Sequence, residues 1–194
     1  MKKFNILSKK NVFKGYFSID RYKVNYEKFD GTYSAPVYRE VFERGSAVAV
    51  LPYDPTRKEV ILIEQFRIGA IKDPNPWLLE VVAGIIEPNE SLESVAIRET
   101  KEEAGLSIKK LLPIYKYWVT PGACTEHIDL FCGIVDTTTA GGIHGIENEQ
   151  EDIQVHVLSI EEALDWLRLG KIKNSTAIIA LQWLALNHHK IKMT

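Results

Sequence analysis

Glu99, Glu102 and Glu103 stand close together near the end of the stretch GIIEPNESLESVAIRETKEEAGL, which runs from Gly84 to Leu106. Their spacing makes them more than a patch of solvated charge. A helix is expected over Leu92–Ala104, because Ser91 offers a side-chain oxygen to the orphan amides of the first turn and Gly105 supplies a left-handed stop. At about 100° per residue, Leu92, Val95 and Ala96 form one apolar face, and the three glutamates continue it. Like charges so placed repel by roughly a few tenths of a kcal/mol per pair when exposed. Partial burial raises that cost unless a cation offsets it. Oxygen-only donors suit a hard cation such as Mg²⁺, which tolerates a site shared with water and phosphate oxygens. Arg98, one turn before Glu102, is placed to pair with it and hold the cluster in shape.

A second source of carboxylates is the run Glu147-Asn148-Glu149-Gln150-Glu151-Asp152. Taken alone it reads equally well as a solvated acidic loop. Its chemical interest is that a mobile acid can close over a substrate and take a proton from polarised water.

The elements that must position these groups follow one another as in an α/β chain. GYFSIDRYKVNYEKF and APVYREVFERG are aromatic and β-branched, with a turn at Asp30-Gly31 between them, and predict a small antiparallel sheet. SAVAVLPY and EVILIEQFRI flank a turn at Asp54-Pro55 and predict a hairpin. WLLEVVAGI leads into the acidic helix, and LLPIYKYWV, IDLFCGIV and IQVHVLSI add strands. Helices are expected at IEEALDWLRLG, capped by Ser159, and at NSTAIIALQWLAL, capped by Asn174 or Ser175. The expected fold class is therefore α/β, a mixed β-sheet sandwiched between helices, with a small N-terminal antiparallel extension over residues 1–45 and the main domain over 46–194.

Composition bounds the function. With 194 residues, 45% of them apolar, the chain can form one well-cored domain and a small extension. A net charge of −2 gives no electrostatic footprint for nucleic acid or an anionic membrane. The start, MKKFNILSKK, holds too short an apolar run for a signal peptide, and Gln182 interrupts the longest apolar stretch, Ala177–Leu186. Cys124 and Cys132 lack close metal-ligand spacing and fit a reduced compartment, so a cytoplasmic location is expected.

The Gly84–Leu106 stretch resembles the Nudix hydrolase signature, G-x5-E-x7-R-E-U-x-E-E-x-G-U with U aliphatic. Gly84, Glu90, Arg98, Glu99, Glu102, Glu103, Gly105 and Leu106 fall in register, and Thr100 departs from it as a packing variant. The resemblance implies the Nudix fold and divalent-cation-dependent hydrolysis of a nucleoside diphosphate linked to another moiety, with Mg²⁺, or Mn²⁺ in its place. Outside the signature, KGYFSID, REVFERG, IEQFRI, WLLEVVAG, TPGACTE, GIHG and ENEQEDIQVHV resemble the bacterial ADP-ribose diphosphatase branch. That likeness implies hydrolysis of ADP-ribose to AMP and ribose 5-phosphate. GDP-mannose or another nucleotide sugar is the alternative substrate, and a non-catalytic ADP-ribose sensor a lesser alternative.

Residue by residue, the resemblance puts the cation on Glu99, Glu103, Glu151 and the backbone carbonyl of Ala83, with Glu102 beside them. It assigns the general base to Glu149, leaving Glu147 as an outside candidate. It also implies substrate contacts from Tyr16, Phe17, Arg39, Glu40, Arg44, Arg67, Ile85, Thr120, Pro121, Gly122 and Glu126. Arginine suits the diphosphate through its forked donors, and the aromatic pair suits adenine. Arg67 reads alternatively as half of a surface ion pair. The resemblance further implies a homodimer in which the N-terminal extension serves the partner's site.

Overall fold

A computed structural model describes residues 1–191, with the side chain of Glu149 outside the described residues. In chain order the strands and helices are β1 (Phe4–Lys14), β2 (Ser18–Tyr26), β3 (Val37–Glu43), β4 (Ala47–Asp54), β5 (Glu59–Phe66), β6 (Trp77–Glu80), β7 (Val82–Ile85), α1 (Leu92–Ala104), β8 (Lys110–Trp118), β9 (His127–Ile134), β10 (Gly142–His144), β11 (Ile153–Ser159), α2 (Ile160–Arg168) and α3 (Ser175–Asn187). They divide into two compact units.

One unit joins Met1–Ser46 to the segment Tyr117–His127. Its sheet has the order β1-β2-β3, antiparallel throughout. All eleven residues of β1 are exposed, so that strand carries no alternation that sequence could reveal. The separate segment is stitched to β3, since Phe42 N–H donates to Ala123 O at 2.8 Å and Thr125 N–H donates to Phe42 O at 3.1 Å. A linear reading had no signal for this second piece.

The other unit, Ala47–Lys116 with Ile128–Thr194, holds the mixed sheet. Its strand order is β10-β11-β5-β4-β9-β8, with β4 parallel to β9. The β4–β5 hairpin pairs only near its turn, at Tyr53↔Val60 and Asp54↔Glu59. The two strands then part, and the segment Trp77–Ile85 fills the gap: β6 runs antiparallel to β5, then β7 antiparallel to β4. This split is what brings Ala83 and Gly84 beneath α1.

Alternation along the strands divides the core between two faces. Val48, Val50, Ile61, Ile63, Val82, Ile153 and Val155 cluster with Val95, Ala96 and Ala104 of α1. Ala49, Leu51, Val60 and Leu62 alternate with them, are equally buried, and face α2 and α3. Among the described residues no helix is long and apolar enough to cross a membrane.

Candidate active site

Helix α1 forms as its sequence dictates. The Ser91 hydroxyl accepts from Ser94 N–H at 3.0 Å, and Gly105 closes the helix at φ 70°. Val95 and Ala96 are fully buried, and the same face carries Glu103, only 4% exposed, beside the half-buried Glu99. Oε2 of Glu103 accepts the backbone N–H of Ala83 at 3.0 Å. A residue in an extended strand directs its N–H and C=O to the same edge. The Ala83 carbonyl therefore emerges on the edge where Glu103 lies. Next to it, a Cβ on Gly84 would fall 1.8 Å from Oε1 of Glu99, so only glycine lets that carboxylate reach the strand.

Arg98 ties three of the acids to one guanidinium, while Glu103 is held by a backbone amide. Arg98 bonds Glu99 at 2.7 Å and Glu102 at 3.2 Å, and reaches back to both oxygens of Glu90 at 3.2 Å. Glu90 in turn accepts from Glu87 N–H at 3.1 Å, so this ion-pair group braces the loop before the helix. The acidic run downstream is a closed turn. Ile146 N–H donates to Oε2 of Glu151 at 3.1 Å, and Glu151 N–H returns a bond to Ile146 O at 3.3 Å. Residues Glu147–Glu149 make one 3₁₀ turn between them, ended by Gln150 at φ 57°. Gly145 N–H donates to Glu102 O at 3.3 Å, which anchors this turn to α1.

Electrostatics records how near these groups are to one another. Burial pushes the Glu103 carboxyl up to about 8, against the pull of the Ala83 amide, while Glu99 and Glu151 add to the rise. Glu99 is also raised, by burial first, with Glu102 and Glu151 contributing and Arg98 opposing. Burial works against the charge of Arg67, but Glu80, Glu103 and Glu151 more than offset it. Among the described residues no three acids form a ready-made cation cage, as expected where backbone amides and Arg98 hold them and like charges repel. The donor set nevertheless fits a hard divalent cation, being oxygen only and partly desolvated.

Arg67 stands in an ion pair, itself partly exposed and its partner buried. It binds Glu80 through Nε at 2.9 Å and Nη2 at 2.7 Å, and Glu80 is buried and also accepts from Asn174 at 2.9 Å. Sequence reasoning passed over Glu80. Its signal was a lone acid inside the apolar run WLLEVV, which in a buried strand demands a partner. Ile85, at the end of β7, is exposed.

The remaining predicted contacts lie in the unit holding the small sheet. Tyr16 is 90% exposed and meets Phe17 edge to face at 4.7 Å, and Phe17 meets Phe42 likewise at 5.1 Å. The Arg44 guanidinium lies 5.9 Å from the Phe17 ring centre and pairs with the buried Glu126. Tyr16, Phe17, Arg44 and Glu126 thus form one cluster. Arg39 and Glu40 line a separate hollow with Arg21 and Tyr38, where Glu40 is paired to Arg21 at 2.5 Å. Thr120, Pro121 and Gly122 form a turn in which Thr120 O accepts from Ala123 N–H at 3.1 Å.

A helix carrying stacked carboxylates over a glycine-bearing strand, in a split mixed sheet, defines a class, and comparison with known proteins gives it a name. The NUDIX domain model matches residues 43–181. The ADP-ribose pyrophosphatase of Escherichia coli strain K12 is 49% identical over 188 residues, covering 96% of this chain and 90% of that protein. A GDP-mannose pyrophosphatase of Enterobacter sp. strain 638 is 32% identical over 152 residues, covering 77% and 78%. A solved structure of an ADP compounds hydrolase superposes with a TM-score of 0.70 at 21% identity, over 94% of this chain and 95% of that one, a likeness of fold. The chain belongs to the Nudix family. It is a hydrolase acting on a pyrophosphate bond.

Proposed function

We propose that this chain hydrolyses ADP-ribose to AMP and ribose 5-phosphate. The observation that carries the substrate is the breadth of the likeness: the 49% identity to an ADP-ribose pyrophosphatase extends over 96% of the chain. It therefore takes in the aromatic and arginine-bearing N-terminal unit as well as the acidic helix. The likeness to the GDP-mannose pyrophosphatase is weaker and spans less.

Glu99, Glu103, Glu151 and the Ala83 carbonyl are the groups that would hold a divalent cation, taken as Mg²⁺ or Mn²⁺. Such an ion supplies neutralising charge for the diphosphate and a lowered pKa for water. The burial of Glu103 and the direction of the Ala83 carbonyl support this assignment. Glu149 takes the proton of the attacking water, whose oxygen joins one phosphorus as the bridging P–O bond breaks. Arg39, Arg44 and Arg67 offer forked donors to the diphosphate and ribose. Tyr16 and Phe17 offer flat apolar area to adenine, and Glu40, Ile85, Thr120, Pro121, Gly122 and Glu126 are the further candidate contacts to the substrate. A homodimer and a cytoplasmic location belong to the same reading. The second finds support in Cys124 and Cys132, which are free thiols.

A panel of nucleotide sugars with Mg²⁺ tests the substrate. ADP-ribose should turn over fastest, and GDP-mannose turning over far faster would overthrow the choice. For the base, Glu149→Gln should flatten the acidic limb of the pH–rate profile. Full retention of rate would move that role to another acid, Glu147 first.

A further inference from the structure

Gln65 carries a polar group the chemistry above does not use. It is 7% exposed, and its amide nitrogen is buried without an acceptor among the described residues. Leaving such a group unpaired is destabilising, and an aliphatic side chain would avoid that cost.

The position explains why an amide is there. Alternation along β5 sets Gln65 on the α1 side with Ile61 and Ile63, and Arg67 follows two residues on. The β11–β5 register reads Gln154↔Glu64. The ladder ends at that pair, and Gln65 and Ile153 are the next residues on the two strands. The charges of Glu103 and Glu151 both act on Arg67, two residues beyond Gln65. Each has one oxygen committed to a backbone amide: Glu103 Oε2 to Ala83 at 3.0 Å, and Glu151 Oε2 to Ile146 at 3.1 Å. Among the described residues Oε1 of each accepts no such bond. A primary amide has two N–H donors, and a carboxylate oxygen has lone pairs to spare for a cation.

We propose that Gln65 is a positioning residue, whose amide donates to Oε1 of both Glu103 and Glu151 and holds the two carboxylates convergent when they close on a divalent cation. The inference rests on the cation reading given above. Groups that orient metal ligands in this way typically change metal affinity 10- to 100-fold.

The test is Mn²⁺ binding, read from the electron paramagnetic resonance of free Mn²⁺, on wild-type protein, Gln65→Met and Glu103→Gln. Gln65→Met should bind Mn²⁺ about tenfold more weakly. In EDTA its melting temperature should equal or exceed that of wild type, because the unpaired amide is gone. A merely structural glutamine would instead lower the melting temperature in EDTA. Wild-type Mn²⁺ affinity in Gln65→Met overturns the proposal alone. Wild-type affinity in Glu103→Gln overturns the cation reading and the proposal with it. Should Gln65→Met fail to fold, Gln65→Asn decides: its shorter amide should also weaken Mn²⁺ binding, and unchanged affinity overturns the proposal.

Discussion

The backbone amide of Ala83 donates to Oε2 of Glu103 at 3.0 Å, joining the buried end of the acidic helix to the strand that fills the split β4–β5 hairpin. The bond fixes more than a distance. It turns the Ala83 carbonyl toward the same edge and leaves the second oxygen of Glu103 to act.

Glu103→Gln should therefore lose most turnover while the protein stays folded. The amide can still accept from Ala83 through its oxygen, so the fold keeps its bond, but the charge proposed to attract a cation is gone. The loss should be roughly a hundredfold or more, beyond what supporting partners of metal ligands cost. AMP release and a thermal melt check the two halves. Near-normal turnover would remove Glu103 from the cation site.

Gly84→Ala tests the neighbouring acid without touching it. The new Cβ would sit 1.8 Å from Oε1 and 2.4 Å from Cγ of Glu99, so the side chain must swing away. Its end is flexible, and stability should fall by only about 1 kcal/mol. Turnover should fall about tenfold or more, with a higher Mg²⁺ requirement. A variant that loses stability and keeps its Mg²⁺ requirement would show that Glu99 serves packing alone.

How far these features were legible depends on their range. Helix α1, with Ser91 and Gly105 at its ends, was readable because capping and facing are local. Thr100 read as a packing variant, and it is fully buried, although its hydroxyl finds no acceptor among the described residues. Ala83 had no chemical mark, since only its backbone direction matters and that follows from pairing with β4. The bond from Arg67 to Glu80 joins β6 to the residue just past β5, a pairing that exists only once the hairpin splits. Strand β10 was hidden beside the tract TTTAGG, where glycines mask a short edge strand.

In EDTA the raised carboxyl of Glu103 sets a pH dependence of stability. Its ordinary value is 4.5, and in the folded chain it stands at about 8. Between those values the folded state binds more protons than the unfolded state, so stability falls as pH rises through the window. Glu99, raised as well, acts in the same direction. Melts in EDTA between about pH 5 and pH 8 should show wild type losing ground to Glu103→Gln as pH rises, and added Mg²⁺ should abolish the difference. Parallel curves for the two proteins would mean that Glu103 is charged throughout.

Arg98 links the loop to the helix, and its geometry predicts coupling. One guanidinium spans Glu90, Glu99 and Glu102, a task that needs a planar fork. Arg98→Lys keeps the charge but can satisfy fewer of the three, so turnover should drop several-fold with a modest loss of stability. The side chain of Arg98 is 36% exposed and that of Glu90 is 25% exposed, so solvent screens the pair and its direct worth is small. The larger effect should be cooperative. If Arg98 braces the loop through Glu90, then Glu90→Gln and Arg98→Lys remove the same brace, and the double variant should be little worse than either single one. A double-mutant cycle on thermal stability and on turnover should give a coupling of about 0.5–3 kcal/mol. Additive losses would mean that Arg98 acts on Glu99 and Glu102 alone, and that the loop is held by the Glu87–Glu90 bond without it.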